Sequence, residues 1–240
     1  MNPSGEDGKL PTDFFMRVVA VIPAFREVPR VQAAVRACLP YVERVIVIDD
    51  GSRDGTAEEA ARGGAMVLRH TINRGQGAAL KTGTQAALEI GADVIVHIDA
   101  DGQHDPSFIP ALVQPLADGQ ADIVFGSRFM GMKAIDMPLT RRVLMRGIKL
   151  FNIFALGIPS TVRDPQTGMR AFTAKAVEKL DFHQDGMAHC SEILRLATRN
   201  LRWQEVPVVV RYTKDSLEKG QWRGGVVRIV WQLLMGSFRK

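Results

Sequence analysis

Val94-Ile95-Val96-His97-Ile98-Asp99-Ala100-Asp101-Gly102-Gln103-His104-Asp105-Pro106 joins a short β-branched run to an acidic turn, and the reading of the whole chain turns on this junction. The run, bounded by Gly91 and Gly102, has the length and composition of a buried parallel strand. Asp99 and Asp101 stand two residues apart, so both carboxylates point to one side if the extended backbone continues past Ile98. Ligand sites in open α/β sheets lie at the carboxyl ends of strands. Asp99, Asp101 and the amide of Gln103 would offer hard oxygen donors there, of the kind that suit Mg²⁺ or Mn²⁺ and leave positions for phosphate oxygens. The alternative is a polar loop whose acids cap the next helix. Asp105 before Pro106 fits that second description, with Asp at the N-cap and Pro at the first helical position. Asp99 and Asp101 are read as metal ligands.

Working outward, Val18 to Ile22 is a β-branched strand ending at Pro23, and Val28, Val31, Val35 and Leu39 mark one face of the helix that follows. Arg44 to Ile48 is a second buried strand, closed by the turn Asp49-Asp50-Gly51-Ser52. A helix runs through Glu58 to Ala61, and a third strand spans Ala65 to Arg69. A helix from about Gln76 to Ile90 precedes the Val94 strand, and Asp122 to Gly126 is a fifth strand. Strands alternating with helices predict an α/β fold, a mostly parallel sheet covered on both faces. Asn73-Arg74-Gly75-Gln76-Gly77 lacks the Gly-Lys-Thr of a P-loop and the third small residue of a dinucleotide fingerprint, because Leu80 stands at both decisive places. What remains is a glycine-rich turn at a helix start. It is read equally as a close approach to phosphate or ribose and as a plain helix start.

The 240 residues suit one large domain. The formal charge is +5, yet residues 195–240 hold ten Lys and Arg against three acids, so the excess lies at the end of the chain. Residues 1–13 read as a loose polar terminus, 14–215 as the main domain and 216–240 as a basic amphipathic tail. Cys38 and Cys190 match no metal spacing and read as free thiols of a reducing compartment. No apolar run reaches the ~18 residues of a membrane span.

These stretches occur in an order that resembles family 2 glycosyltransferases of the GT-A fold: Val18 to Glu27, the Asp49-Asp50-Gly51-Ser52 turn, Asn73 to Gly77, Asp99 to Gln103, Asp122 to Arg128 and Asp164 to Arg170. Within that family the Asp-Ala-Asp-x-Gln form is most similar to dolichyl-phosphate mannose and polyprenyl-phosphate glucose synthases. The resemblance implies a Rossmann-like, mostly parallel sheet flanked by helices, with a C-terminal amphipathic helix. It implies a nucleotide-sugar site built from Pro23, Ala24, Glu27, Asp49, Asp50, Gly51, Ser52, Asn73, Gly77, Lys81, Asp99 and Ala100. Metal falls to Asp99, Asp101 and Gln103, catalysis to Asp101, Arg128 and Asp164, and the acceptor phosphate to Arg128, Arg141 and Arg142. Phe25-Arg26 stands where relatives often have Tyr-Asn, and Gln76 where many have Lys.

The expected reaction moves a hexose from a GDP- or UDP-sugar to a polyprenyl phosphate with inversion, at the cytoplasmic membrane face. A phosphate monoester is mostly ionised at neutral pH and needs cations but no base. A sugar hydroxyl acceptor needs a base, for which Asp164 and Glu192 are the candidates. On its residues alone Arg128 reads equally as a phosphate ligand and as the partner of an acid such as Asp164; the resemblance favours phosphate. Asp164 could instead pair with Arg170. Arg141 to Leu156 and Trp222 to Lys240 mix cations with apolar residues and read as helices for a membrane interface or a small membrane-protein partner. A homo-oligomer is left open. A silent nucleotide-sugar-binding module has no need of the acidic pair, and nucleic acid is not expected as a partner, because the cations accompany aliphatic faces.

Overall fold

The computed structural model describes residues 16–130, 139–164 and 167–210, with side chains described from Gly147 onward in the helix that starts at 139, Ile148 excepted. The loose terminus, the basic tail and the side chains of Arg141 and Arg142 lie outside the described residues. The elements run β1 (Val18–Ala24), α1 (Val28–Cys38), β2 (Arg44–Asp49), α2 (Thr56–Arg62), β3 (Met66–Arg69), α3 (Gln76–Glu89), β4 (Val94–His97), α4 (Ile109–Ala117), β5 (Ile123–Ser127), α5 (Leu139–Leu156), β6 (Arg170–Thr173), α6 (His189–Asn200) and β7 (Trp203–Pro207).

The seven strands lie in the order β3-β2-β1-β4-β6-β5-β7. The β1, β2, β3 and β4 pairings are parallel, as is β5 with β7, whereas β6 is antiparallel to both β4 and β5. The expected mostly parallel α/β sheet is present, with all five expected strands. Period-2 alternation sorts the side chains of the central strands into two cores. Val18, Ala20, Ile22, Val45, Val47, Val94 and Val96 pack against α1 and α4 through Val31, Val35, Leu112 and Val113. Val19, Val21, Ile46, Ile48 and Ile95 face α3 and α6 through Ala79, Leu80, Ile193 and Leu194. Burial on both faces explains why these strands read as continuous apolar runs.

The sequence reading did not include β6 and β7. Topology makes β6 important: because it runs antiparallel, its first residue, not its last, lies at the edge where β1, β2, β4 and β5 end. Arg170 is thereby paired with His97 and Phe125. The chain turns from β3 back across β1 to β4, so the carboxyl ends of β1 and β4 flank a topological switch point, where open sheets bind ligands.

Candidate active site

β4 ends at His97, and Asp99 and Asp101 are presented by the turn that follows rather than by strand alternation. Asp99 Oδ1 accepts a hydrogen bond from Gln76 Nε2 (2.7 Å), and its Oδ2 lies 3.9 Å from His104 Nε2. Asp101 Oδ1 accepts the Gln103 backbone N–H (3.0 Å), and the Gln103 amide nitrogen donates to the second oxygen. Gln103 therefore orients Asp101 in this arrangement. Burial raises both carboxyl pKa values above the usual range; the charge of Asp99 raises Asp101 further, while Arg170 and His189 pull Asp99 back down. Two carboxylates that repel one another in a half-buried turn are an arrangement that a divalent cation relieves. A Cβ at Gly168 would lie 2.2 Å from Asp99 Oδ2, so only glycine leaves Asp99 its place. No group of three or more His, Cys, Asp or Glu is placed to hold a metal among the described residues. The donor set thus fits an ion held by two carboxylates and completed by ligand oxygens. Asp105 accepts the Ser107 N–H (3.0 Å) and starts a single 3₁₀ turn that runs into α4, the capping role expected of it. A groove of about 330 Å³ opens between Ala33 and Ala37 of α1 and Asp99, Gln103 and His104.

At the neighbouring ends of β1 and β2, Pro23 and Ala24 close β1, and the Ala24 carbonyl accepts the Asp50 N–H (2.8 Å). Asp49 is buried; its Oδ1 accepts the Ser52 N–H (2.9 Å) and its Oδ2 lies 3.2 Å from Arg69 Nε. Asp50 is equally committed. Its Oδ1 accepts the Arg74 N–H (2.9 Å) and His70 Nδ1–H (2.7 Å), its Oδ2 the Gly75 N–H (2.7 Å). The acidic turn thus fastens the 70–75 loop and packs Gly51 against the Asn73 backbone, leaving the Asn73 side chain exposed. Ser52 Oγ accepts the Arg26 N–H (2.9 Å), and Arg26 has φ +56°, a left-handed conformation that Asn adopts more easily than Arg. Arg26 stacks over Phe25, 5.1 Å from its ring centroid. Glu27 is held through its N–H on Thr56 Oγ1 (3.0 Å) and its carboxylate on Arg30 (2.7 Å). Ala100 is buried in the core below the acidic turn.

The structure alters the reading of the glycine-rich turn. A close approach occurs, but to the protein's own chain: a Cβ at Gly77 would lie 1.9 Å from the Gln184 carbonyl oxygen. The Gly77 and Ala78 N–H groups donate to the Asp185 carbonyl (2.7 and 3.3 Å), so the first turn of α3 is not open to a phosphate here. Lys81 also faces this loop, with Nζ 3.0 Å from Asp181 Oδ1 and 3.2 Å from the Phe182 carbonyl.

Beyond the end of β5, the ion-pair reading of Arg128 is realised. Arg128 Nε and Nη2 donate to the two oxygens of Asp164 (2.6 and 2.7 Å), both residues are buried, and the Arg128 N–H adds a third contact (3.1 Å). Asp164 thus pairs with Arg128, not with Arg170; its own N–H is held by Glu205 (2.8 Å). Glu192 faces neither cleft nor open solvent as a free acid, because its Oε2 accepts the His183 and Gln184 N–H groups (3.0 and 2.8 Å). His104, buried beside Asp99 and near the Arg128 charge, is held neutral with its pKa lowered to about 4. Gln76, His104, Gly168 and Arg170 are absent from the site read in sequence. Gln76 carried a signal as a departure from the relatives' Lys, and Gly168 and Arg170 lie in the Asp164 to Arg170 stretch of the resemblance.

The chain matches the model of the family described as glycosyl transferase family 2 over residues 19–180. It is 33% identical to the UDP-N-acetylglucosamine–dolichyl-phosphate N-acetylglucosaminyltransferase of Methanococcus voltae, over 91% of this chain and 95% of that one. It is 30% identical to the undecaprenyl-phosphate mannosyltransferase of Micrococcus luteus, over 88% and 90%. The crystal structure of glucosyl-3-phosphoglycerate synthase from Mycobacterium tuberculosis with Mg²⁺ and uridine diphosphate superposes with TM-score 0.70 at 22% identity, over 92% of this chain and 79% of that one, a likeness of fold. With the acidic turn of the GT-A fold at the carboxyl edge of its sheet, this chain belongs to the family 2 glycosyltransferases.

Proposed function

We propose that this glycosyltransferase moves a hexose, with inversion, from a nucleoside diphosphate sugar to a polyprenyl phosphate. The observation that carries the choice of acceptor is the state of the candidate bases. Asp164 is bound to Arg128 and Glu192 to the 183–184 backbone, so neither candidate base stands ready to take a hydroxyl proton. A phosphate acceptor needs none of them. Its oxygen forms the new bond to the anomeric carbon as the bond from that carbon to the diphosphate breaks, the electron pair leaves with the diphosphate, and no proton moves. The relatives named for dolichyl and undecaprenyl phosphate point the same way.

In this reading Asp99 and Asp101 hold Mg²⁺ or Mn²⁺, which when bound neutralises the departing diphosphate as a Lewis acid. Gln103 and Gln76 fix the two carboxylates, and Pro23 to Glu27 with the Asp49 to Ser52 turn and Asn73 frame the nucleotide. Arg141 and Arg142 are assigned to the acceptor phosphate, while Arg128, whose guanidinium Asp164 already holds, is kept as the partner of that acid. The proposed place of work is the cytoplasmic membrane face, since α5 leaves Leu150 55% and Phe154 84% exposed. No helix among the described residues is long and apolar enough to cross a membrane. The tail 216–240 adds cations and apolar residues for the same surface or a membrane partner. The test supplies purified protein with polyprenyl phosphate in vesicles and labelled GDP- and UDP-hexoses. Label is expected in an acid-labile, organic-extractable product; label entering only a water-soluble glycan overturns the reading.

A further inference from the structure

Phe25 and Arg26 follow β1 at the switch point of the sheet, and both side chains are exposed. The Arg26 backbone, at φ +56°, lies in a conformation that costs an arginine free energy, and its N–H on Ser52 Oγ (2.9 Å) holds it there. Residues kept in such conformations cluster at ligand sites. The side chain is as distinctive as the backbone. Its neighbours Arg30 and Arg69 each hold an acid, Glu27 and Asp49, whereas the Arg26 guanidinium meets no carboxylate among the described residues and lies 5.1 Å from the Phe25 ring centroid. A Cβ on Gly51 would lie 2.6 Å from the Asn73 nitrogen and 3.1 Å from the Ile72 Cα. The Gly51–Ser52 turn therefore touches both the Arg26 and the Ile72–Asn73 backbone, and two exposed apolar side chains, Phe25 and Ile72, stand at this edge with a guanidinium. The acids of the turn are buried and already accept, Asp49 from Ser52 and Asp50 from His70, Arg74 and Gly75. A base bound here is read through its acceptors, not its donors.

We infer that Arg26 reads the base of the sugar donor and selects guanine over uracil, so that the donor is a GDP-hexose. This rests on the nucleotide-sugar reading of the site and deepens it. Guanine presents two adjacent acceptors, O6 and N7, that match two N–H groups of the guanidinium fork. Uracil presents no such pair, because the neighbours of its O4 are the N3–H donor and an apolar C–H edge. Phe25 and Ile72 supply the apolar surface against which a base packs. Asn adopts the backbone of residue 26 with less strain, but its amide matches the edge of adenine and not that of guanine.

The test is titration calorimetry of the purified full chain with GDP, UDP and 7-deaza-GDP in the presence of Mg²⁺. Wild type is expected to bind GDP at least about tenfold more tightly than UDP, and to bind 7-deaza-GDP, which lacks N7, at least about fivefold more weakly than GDP. Arg26→Asn is expected to lose at least about tenfold of the GDP affinity and to bind 7-deaza-GDP as well as GDP. Its melting temperature should be unchanged or raised, because Asn takes the left-handed backbone more easily, so the loss is not one of folding. Wild type that binds UDP as tightly as GDP overturns the inference and leaves the nucleotide-sugar reading standing. So does wild type that is indifferent to N7, or an Arg26→Asn protein that keeps the wild-type discrimination. Wild type that binds neither GDP nor UDP overturns the nucleotide-sugar reading and this inference with it.

Discussion

Arg128 and Asp164 form a two-pronged buried pair, and removing either partner leaves the other charge uncompensated, at a cost of about 3–5 kcal/mol. Asp164→Ala and Arg128→Ala should each lower the urea unfolding free energy by roughly that amount. An apolar replacement of both should recover most of it, and a strictly additive double mutant would deny the coupling. Gly168→Ala is expected to behave in the opposite way. Its new Cβ meets Asp99 Oδ2 rather than the core, so transfer activity and Mn²⁺ binding should fall at least about tenfold, with the melting temperature changed by no more than a few degrees. Wild-type turnover by this variant would show that Asp99 can move freely. At this scale the Asp105 cap was legible because its chemistry is local to the spacing, whereas strand alternation misplaced the origin of the Asp99 and Asp101 arrangement, which a turn presents. Arg170 was not legible, because a buried arginine and a surface one are written with the same letter, and only the pairing of β6 with β4 separates them.

The five strands read from the sequence are those whose residues are apolar on both faces. β6 opens on Arg170 and has only four residues, and β7 mixes Gln204 and Glu205 with Trp203 and Val206, so neither carries the signal of a buried strand. The start of α3 shows the converse: the glycines were visible but their partner was not. Gly75 has φ +109° and a Cβ there would lie 2.4 Å from the Asp185 carbonyl oxygen, so both Gly75 and Gly77 are required by the 184–186 loop. Gly77→Ala should destabilise the protein by about 2 kcal/mol or more and expose the 183–186 loop to limited proteolysis; an unchanged cleavage pattern would mean the loop does not depend on this contact. Lys81→Met, by contrast, loses an exposed pair with Asp181 and a hydrogen bond to the Phe182 carbonyl, and should change stability by about 1 kcal/mol. If it also raises the KM for nucleotide sugar more than about tenfold, Lys81 acts on the nucleotide as the family resemblance implies.

Across the molecule, buried histidines make stability depend on pH. His104 and His189 sit at about 4 in the fold against a usual 6.5, lowered first by burial and then by Arg128 and Arg170 respectively. Between those values the unfolded chain holds more protons, so stability falls as pH drops from about 6.5 toward 4. Asp99 and Asp101, raised in the fold, work in the other direction and temper the lower end. The melting temperature should fall by about 10 °C between pH 7.5 and 5, and a flat profile would mean that these histidines are not held neutral. The sheet order also bears on how the protein is made. β3, β2, β1 and β4 neighbour one another and come from residues 18–97, whereas β5 finds no partner until residues 170–207 have been added as β6 and β7. During synthesis, the β3-β2-β1-β4 half of the sheet can therefore close before the half that holds β6, β5 and β7, leaving β5 as an open edge for some forty residues of elongation.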